Sequence, residues 1–83
     1  MRVEKESNMA EFSYEIKEEI GVLSERPNGW RREVNLISWA GADPKIDVRD
    51  WASDRSKMGK GISLTEEEAE MLGRLLVAYT QKD

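Results

Sequence analysis

Aromatic residues lie among basic side chains in the central part of the chain, a combination typical of surfaces that bind single-stranded nucleic acid. Bases stack on exposed rings, while lysine and arginine side chains neutralise the phosphates. The residues with this potential are Trp39, Lys45, Arg49 and Trp51, with the polar Asn35 beside them. In a small domain a tryptophan more often fills the core, so packing is the competing interpretation of both rings.

Further cations flank this group. Lys57 and Lys60 belong to the segment Lys57–Gly61, whose glycines allow the backbone to approach a phosphate closely, although the spacing does not match a P-loop. Arg31 and Arg32 are adjacent, so on a β-strand they point to opposite faces and at most one of them can join a given surface. An ordinary hairpin and solvated arginines are the alternatives.

The residue types that most enzyme chemistry needs are missing. The chain contains no His and no Cys, which excludes thiol nucleophiles, disulfides, thiolate zinc sites and an imidazole base. Four carboxylates in the centre of the chain match no calcium-binding loop. Each has a basic residue within three positions, so local charge balance is a better interpretation than a metal site. These carboxylates are Asp43, Asp47, Asp50 and Asp54. We therefore expect no enzyme activity, no cofactor and no bound metal.

Length and charge place the chain among small polar domains. Its 83 residues allow one domain, and the lack of a long apolar run or signal-peptide core predicts a cytoplasmic location, with nucleoid association in a bacterium. The net charge is −4, yet residues 26–64 carry eight basic and five acidic side chains, a local charge of +3. The local field governs binding of a charged partner more than the total charge does.

Turn signals divide the chain into four predicted strands. Residues 1–10 have no apolar period and are predicted to be a flexible tail, whereas residues 11–81 form the domain. Aromatic and β-branched residues at even positions favour a strand over a helix in the first element. Clusters of Pro, Gly, Asn and Asp separate the elements that follow. The predicted strands are residues 11–25, 30–39, 45–51 and 59–64. Gly59 and Gly61 in the last strand indicate a bulge or a close approach of the backbone.

The last predicted element is a helix from Thr65 to about residue 81. Thr65 and Glu68 have the spacing of a capping box. Apolar residues cover about half of the helix circumference, more than the stripe of about 100° that a helix facing a single core needs. The extra width predicts contact with a second copy of the chain, since a core of this size often relies on oligomerisation. The predicted dimer contacts are Met71, Leu72, Leu75, Leu76 and Tyr79.

The segment Pro44–Leu64, followed by the capped helix, resembles the transcriptional coactivator family typified by positive cofactor four. The motifs are IDVRDW at Ile46–Trp51 and KGISL at Lys60–Leu64, and KMGKGI at Lys57–Ile62 is most similar to the small bacterial YdbC-like branch. The resemblance implies an α+β homodimer with a curved four-stranded antiparallel sheet and one C-terminal helix, in the order β-β-β-β-α. It also implies a channel for single-stranded DNA with little sequence preference.

By the same resemblance, Trp39 is similar to the family's stacking aromatic and Arg49 to its phosphate-contacting arginine. Lys60 and Lys57 are similar to basic residues of the strand and loop that follow. Transcription or repair proteins are the implied protein partners.

The chain departs from the family pattern at three positions. Ala52 stands where eukaryotic members have a second aromatic residue, Ile37 where a basic residue is expected, and Glu33 is acidic on the predicted binding face. These changes could weaken binding or shift it toward RNA. An RNA-binding protein and a protein-interaction module that uses the helix face are therefore the alternatives to a protein that binds single-stranded DNA.

Overall fold

A computed structural model describes residues 13–81 as four strands followed by a helix. The elements are β1 (Tyr14–Glu25), β2 (Arg31–Trp39), β3 (Lys45–Trp51), β4 (Met58–Leu64) and α1 (Glu66–Thr80). The strands form one antiparallel sheet in the order β1-β2-β3-β4, which confirms the predicted fold class. The predicted tail and the first residues of the predicted first strand lie outside the described residues. None of the described helical residues belongs to a helix that is long and apolar enough to cross a membrane.

The two faces of the sheet have different character. Val34 pairs with Val48 across β2 and β3, and Val48 pairs with Ile62 on β4. These three side chains line an apolar groove together with α1, so we call this side of the sheet the helix-side face. Since side chains alternate along a strand, the residues between them lie on the opposite side, which we call the aromatic face. The predicted alternation of β2 and β3 is confirmed.

β1 is a strand as predicted, but its even-numbered residues do not form one face. Its pairing with β2 shifts register between Ile16 and Glu18, between Glu19 and Gly21, and again between Val22 and Ser24. Each shift places an extra residue on β1, and such bulges bend a strand and increase its twist. The alternation that identified the strand is therefore interrupted three times within 12 residues.

Close contact between β3 and β4 depends on a glycine, as the sequence predicted. A Cβ atom at Gly61 would collide with the side chain of Arg49 and the carbonyl oxygen of Val48. The pairing of β4 with β3 also shifts register between Arg49 and Trp51. Because Gly61 has no side chain, the side chain of Arg49 can occupy this space.

The helix begins with the predicted capping box. The backbone N–H of Glu68 donates to Oγ1 of Thr65 at 3.0 Å, and the N–H of Thr65 donates to Oε1 of Glu68 at 2.9 Å. Ala69, Leu72 and Leu76 face the sheet across an apolar groove of about 480 Å³. No residue of α1 is buried, so the described chain leaves the apolar surface of its helix largely uncovered.

Candidate nucleic-acid interface

Most of the predicted binding residues lie on the aromatic face. On β2 and β3, Arg31 is paired with Trp51, and Asn35 with Asp47. By the alternation along each strand, the predicted residues that share this face are Arg31, Asn35, Trp39, Lys45, Arg49 and Trp51. Lys57 precedes β4 and Lys60 lies within it, and both are exposed.

Arg32 does not join this group. It lines the groove on the helix-side face, and its Nε donates to Oδ1 of Asp50 at 3.0 Å. Of the two adjacent arginines, the structure thus places Arg31 with the aromatic residues and Arg32 on the other side of the sheet.

Three aromatic rings form a cluster on the aromatic face. The ring of Tyr14 lies 5.5 Å from Trp39 and 5.5 Å from Trp51, measured between centroids, and is tilted against both. Trp51 is 0% exposed, so the packing interpretation holds for this ring. Trp39 is only partly buried and Tyr14 is 36% exposed. Trp39 and Tyr14 are therefore accessible from solvent, whereas Trp51 is buried and packs against Tyr14.

Arg49 is held against the ring of Trp39. Its Cζ lies 4.7 Å from the ring centroid, a distance at which a cation and an aromatic ring attract each other. Its Nε and Nη2 donate to the two carboxylate oxygens of Asp47 at 2.6 and 2.7 Å. Asp47 is fully buried and also accepts a hydrogen bond from the hydroxyl of Ser63. This two-point attachment fixes the plane of the guanidinium beside the ring.

A charged cluster around Glu33 lies on the same face. Glu33 is 1% exposed, and its Oε1 accepts hydrogen bonds from Nη2 of Arg55 at 2.8 Å and Nδ2 of Asn35 at 3.2 Å. Its Oε2 lies 2.8 Å from Nη2 of Arg31. Burial opposes the charge of Glu33, but the bonds from Asn35 and Arg55 and the charges of Arg55 and Arg31 outweigh it. They hold the pKa of Glu33 below its usual 4.5.

Arg55 connects the aromatic cluster with the charged cluster around Glu33. It lies between β3 and β4 with a positive φ of 61°, and its Cζ is 5.8 Å from the ring centroid of Trp51. Its Nη1 also donates to Glu19 on β1 at 3.1 Å. Sequence reasoning identified neither Arg55 nor Tyr14 as part of the site. No local pattern marks Arg55, and Tyr14 could be found only from the register that sets it opposite Trp39.

The chain is similar in sequence to a known protein family and to a relative. A sequence model of the Transcriptional Coactivator p15 (PC4) family matches residues 26–74, more than half of the chain. The chain belongs to the PC4 family. A protein of Treponema pallidum (strain Nichols), described as uncharacterized, is 45% identical over 75 residues that cover 88% of each chain.

The match to the PC4 family covers the site unevenly. Residues 26–74 include Trp39, Arg49 and the cluster around Glu33, but not β1, which supplies Tyr14. The predicted family is confirmed, and placement in the YdbC-like branch stays a prediction. Within residues 13–81, no group of three or more acidic side chains is arranged to hold a metal ion.

Proposed function

We propose that this PC4-family protein is a non-enzymatic, homodimeric protein that binds single-stranded DNA with little sequence preference. Transcription regulation or DNA maintenance is the proposed process. The observation that supports it best is the partly exposed ring of Trp39 with the guanidinium of Arg49 fixed 4.7 Å from its centroid. A base can stack on the ring while its phosphate pairs with the neighbouring cation.

The proposed binding mode assigns the rings and the cations different tasks. A base stacks on the accessible part of Trp39, with Tyr14 extending the stacking surface. Trp51 is buried and packs against Tyr14. Stacking tolerates every base because each has a π-face, which explains the small sequence preference. The phosphates are neutralised by Arg31, Lys45, Arg49, Lys57 and Lys60.

A fluorescence titration with an oligo-dT strand of about 20 nucleotides, at about 50 and 200 mM salt, tests this function. We expect quenching of tryptophan emission and weaker binding at the higher salt, because phosphate contacts release counterions. An unchanged emission at low salt would contradict the proposal and direct the search to protein partners of α1. Competition by a matched RNA strand then separates DNA from RNA binding, since the 2′-hydroxyl distinguishes them.

The dimer part of the proposal depends on the uncovered apolar surface of α1. Leu75 is 60% exposed, and Met71 and Tyr79 lie one turn before and after it. Leu72 and Leu76 border the groove against the sheet but are also exposed. Such a continuous apolar surface marks an interaction site. A second copy of α1 would cover it.

Leu75→Arg is expected to convert the protein from a dimer to a monomer, because a buried unpaired charge at the helix contact is unfavourable. Sedimentation velocity or light scattering measures the mass directly. Arg74→Gln changes the neighbouring position, which forms a surface ion pair with Glu70, and is expected to leave the dimer intact. A wild-type protein that sediments as a monomer at micromolar concentration would rule out the dimer.

A further inference from the structure

The carboxylate of Glu33 occupies a position between two arginines on the aromatic face. Arg31 and Arg55 each place an Nη2 atom 2.8 Å from one of its oxygens. Arginine recognises carboxylate and phosphate by the same planar arrangement of donors, so a position that holds one anion between two guanidinium groups also suits the other. A buried acid is unusual on a surface proposed to bind a polyanion.

We propose that Arg31 and Arg55 form a second phosphate-binding position, which the carboxylate of Glu33 occupies in the free protein. The proposal deepens the proposed function, on which it rests. A phosphodiester group of the bound strand competes with Glu33 for the two arginines. Glu33 therefore lowers the affinity and limits the number of phosphates that the protein neutralises.

Accessibility and unused donors support this position. The side chains of Arg31 and Arg55 are 35% and 26% exposed, whereas that of Glu33 is 2% exposed, so a strand meets the guanidinium groups before the carboxylate. The Nε atoms of both arginines are buried and make no hydrogen bond within residues 13–81, so Glu33 does not satisfy every donor of either guanidinium group. Both arginines also line a cavity of about 170 Å³, together with the carboxylates of Glu19 and Glu33.

Continuity with the aromatic cluster places this position on the path of a bound strand. Arg55 lies against Trp51, and Trp51 packs on Tyr14, which contacts Trp39. A strand stacked on Trp39 can thus extend its backbone toward Arg55 on the same face. Glu19 provides a second, exposed carboxylate that pairs with Arg55 from the edge strand.

Glu33→Gln tests the proposal because it removes the competing charge and preserves the shape of the side chain. We expect this variant to bind oligo-dT more tightly than the wild type. Its salt slope should be steeper by about 0.7, the value for one additional phosphate contact with a single strand. The gain should disappear in the double variant Glu33→Gln/Arg55→Gln, because the released arginine produces it.

Glu18→Gln is the matched control for net charge. Glu18 is exposed on β1 and lies opposite Leu36, away from the aromatic face, so its removal changes the total charge by the same amount. Equal slopes for Glu18→Gln and Glu33→Gln would overturn the proposal. Thermal unfolding checks that Glu33→Gln folds. If it does not, Arg55→Gln in the wild type removes one of the two arginines for which the phosphate competes, and a salt slope unchanged by that variant also overturns the proposal.

Tripolyphosphate separates this proposal from the proposed function, because it carries phosphates but has no base to stack. We expect it to raise the melting temperature of Glu33→Gln more than that of the wild type or of the double variant. This result supports the second position even if the wild type fails to bind oligo-dT. Equal shifts in all three proteins would overturn the second position, even where Trp39-dependent binding of oligo-dT confirms the proposed function.

Discussion

Replacing Trp39 with alanine is expected to weaken the binding of oligo-dT at every salt concentration without changing the salt slope. Loss of one stacked base removes about 1–3 kcal/mol, which is roughly 5- to 150-fold in affinity. The ring is partly exposed and carries no charge, so its removal changes no phosphate contact directly. Fluorescence anisotropy of a labelled oligo-dT measures the affinity, since the reporter then lies on the DNA and not on the altered tryptophan.

Two further variants distinguish stacking from other effects of the Trp39 substitution. Trp39→Phe retains a ring and should keep most of the affinity that Trp39→Ala loses. Lys60→Ala removes an exposed charge and should flatten the salt slope by about 0.7, the value for one phosphate contact on a single strand. Equal affinity of Trp39→Ala and the wild type would show that the accessible ring does not bind a base.

Replacing Asp47 with alanine is expected to have the largest effect on stability, a loss of about 3 kcal/mol in the free energy of unfolding. The carboxylate is 0% exposed and accepts two hydrogen bonds from Arg49 and one from Ser63. Its removal leaves the guanidinium of Arg49, whose side chain is 15% exposed, without its counter-ion. Urea denaturation followed by circular dichroism measures the difference, and Asp43→Ala on the exposed turn is the matched control.

The same Asp47 variant should also bind DNA more weakly, although its local charge is more positive. Asp47 holds the guanidinium of Arg49 against Trp39, and without this attachment the side chain gains rotational freedom that binding must remove. Asp47 and Glu33 are therefore expected to have opposite effects on affinity despite equal charge. Tighter binding by the folded Asp47→Ala variant would show that Arg49 acts only through its charge. A stability equal to that of Asp43→Ala would contradict the role of the buried ion pair.

Features that depend on neighbouring residues could be predicted from the sequence. The boundaries of β3, the capping box of Thr65 and Glu68, and the close backbone approach at Gly61 agree with the structure. Each follows from local chemistry: alternation along a strand, a reciprocal hydrogen bond across one helical turn, and the lack of a side chain. The grouping of Trp39 with Arg49 also follows from alternation, once β2 and β3 are placed side by side.

The parts of the site that could not be predicted depend on the register between strands and on contacts between residues far apart in the sequence. Three bulges in β1 decide which of its residues meet β2, and Tyr14 comes to lie against Trp39 and Trp51 as a result. Arg55 reaches Glu33 and Glu19 only because the connection before β4 folds back over the sheet. The residue types alone do not determine whether Trp51 is buried or which residues pair with Arg55. Long-range pairing fixes them, since a shift of one residue sends every side chain of a strand to the opposite face.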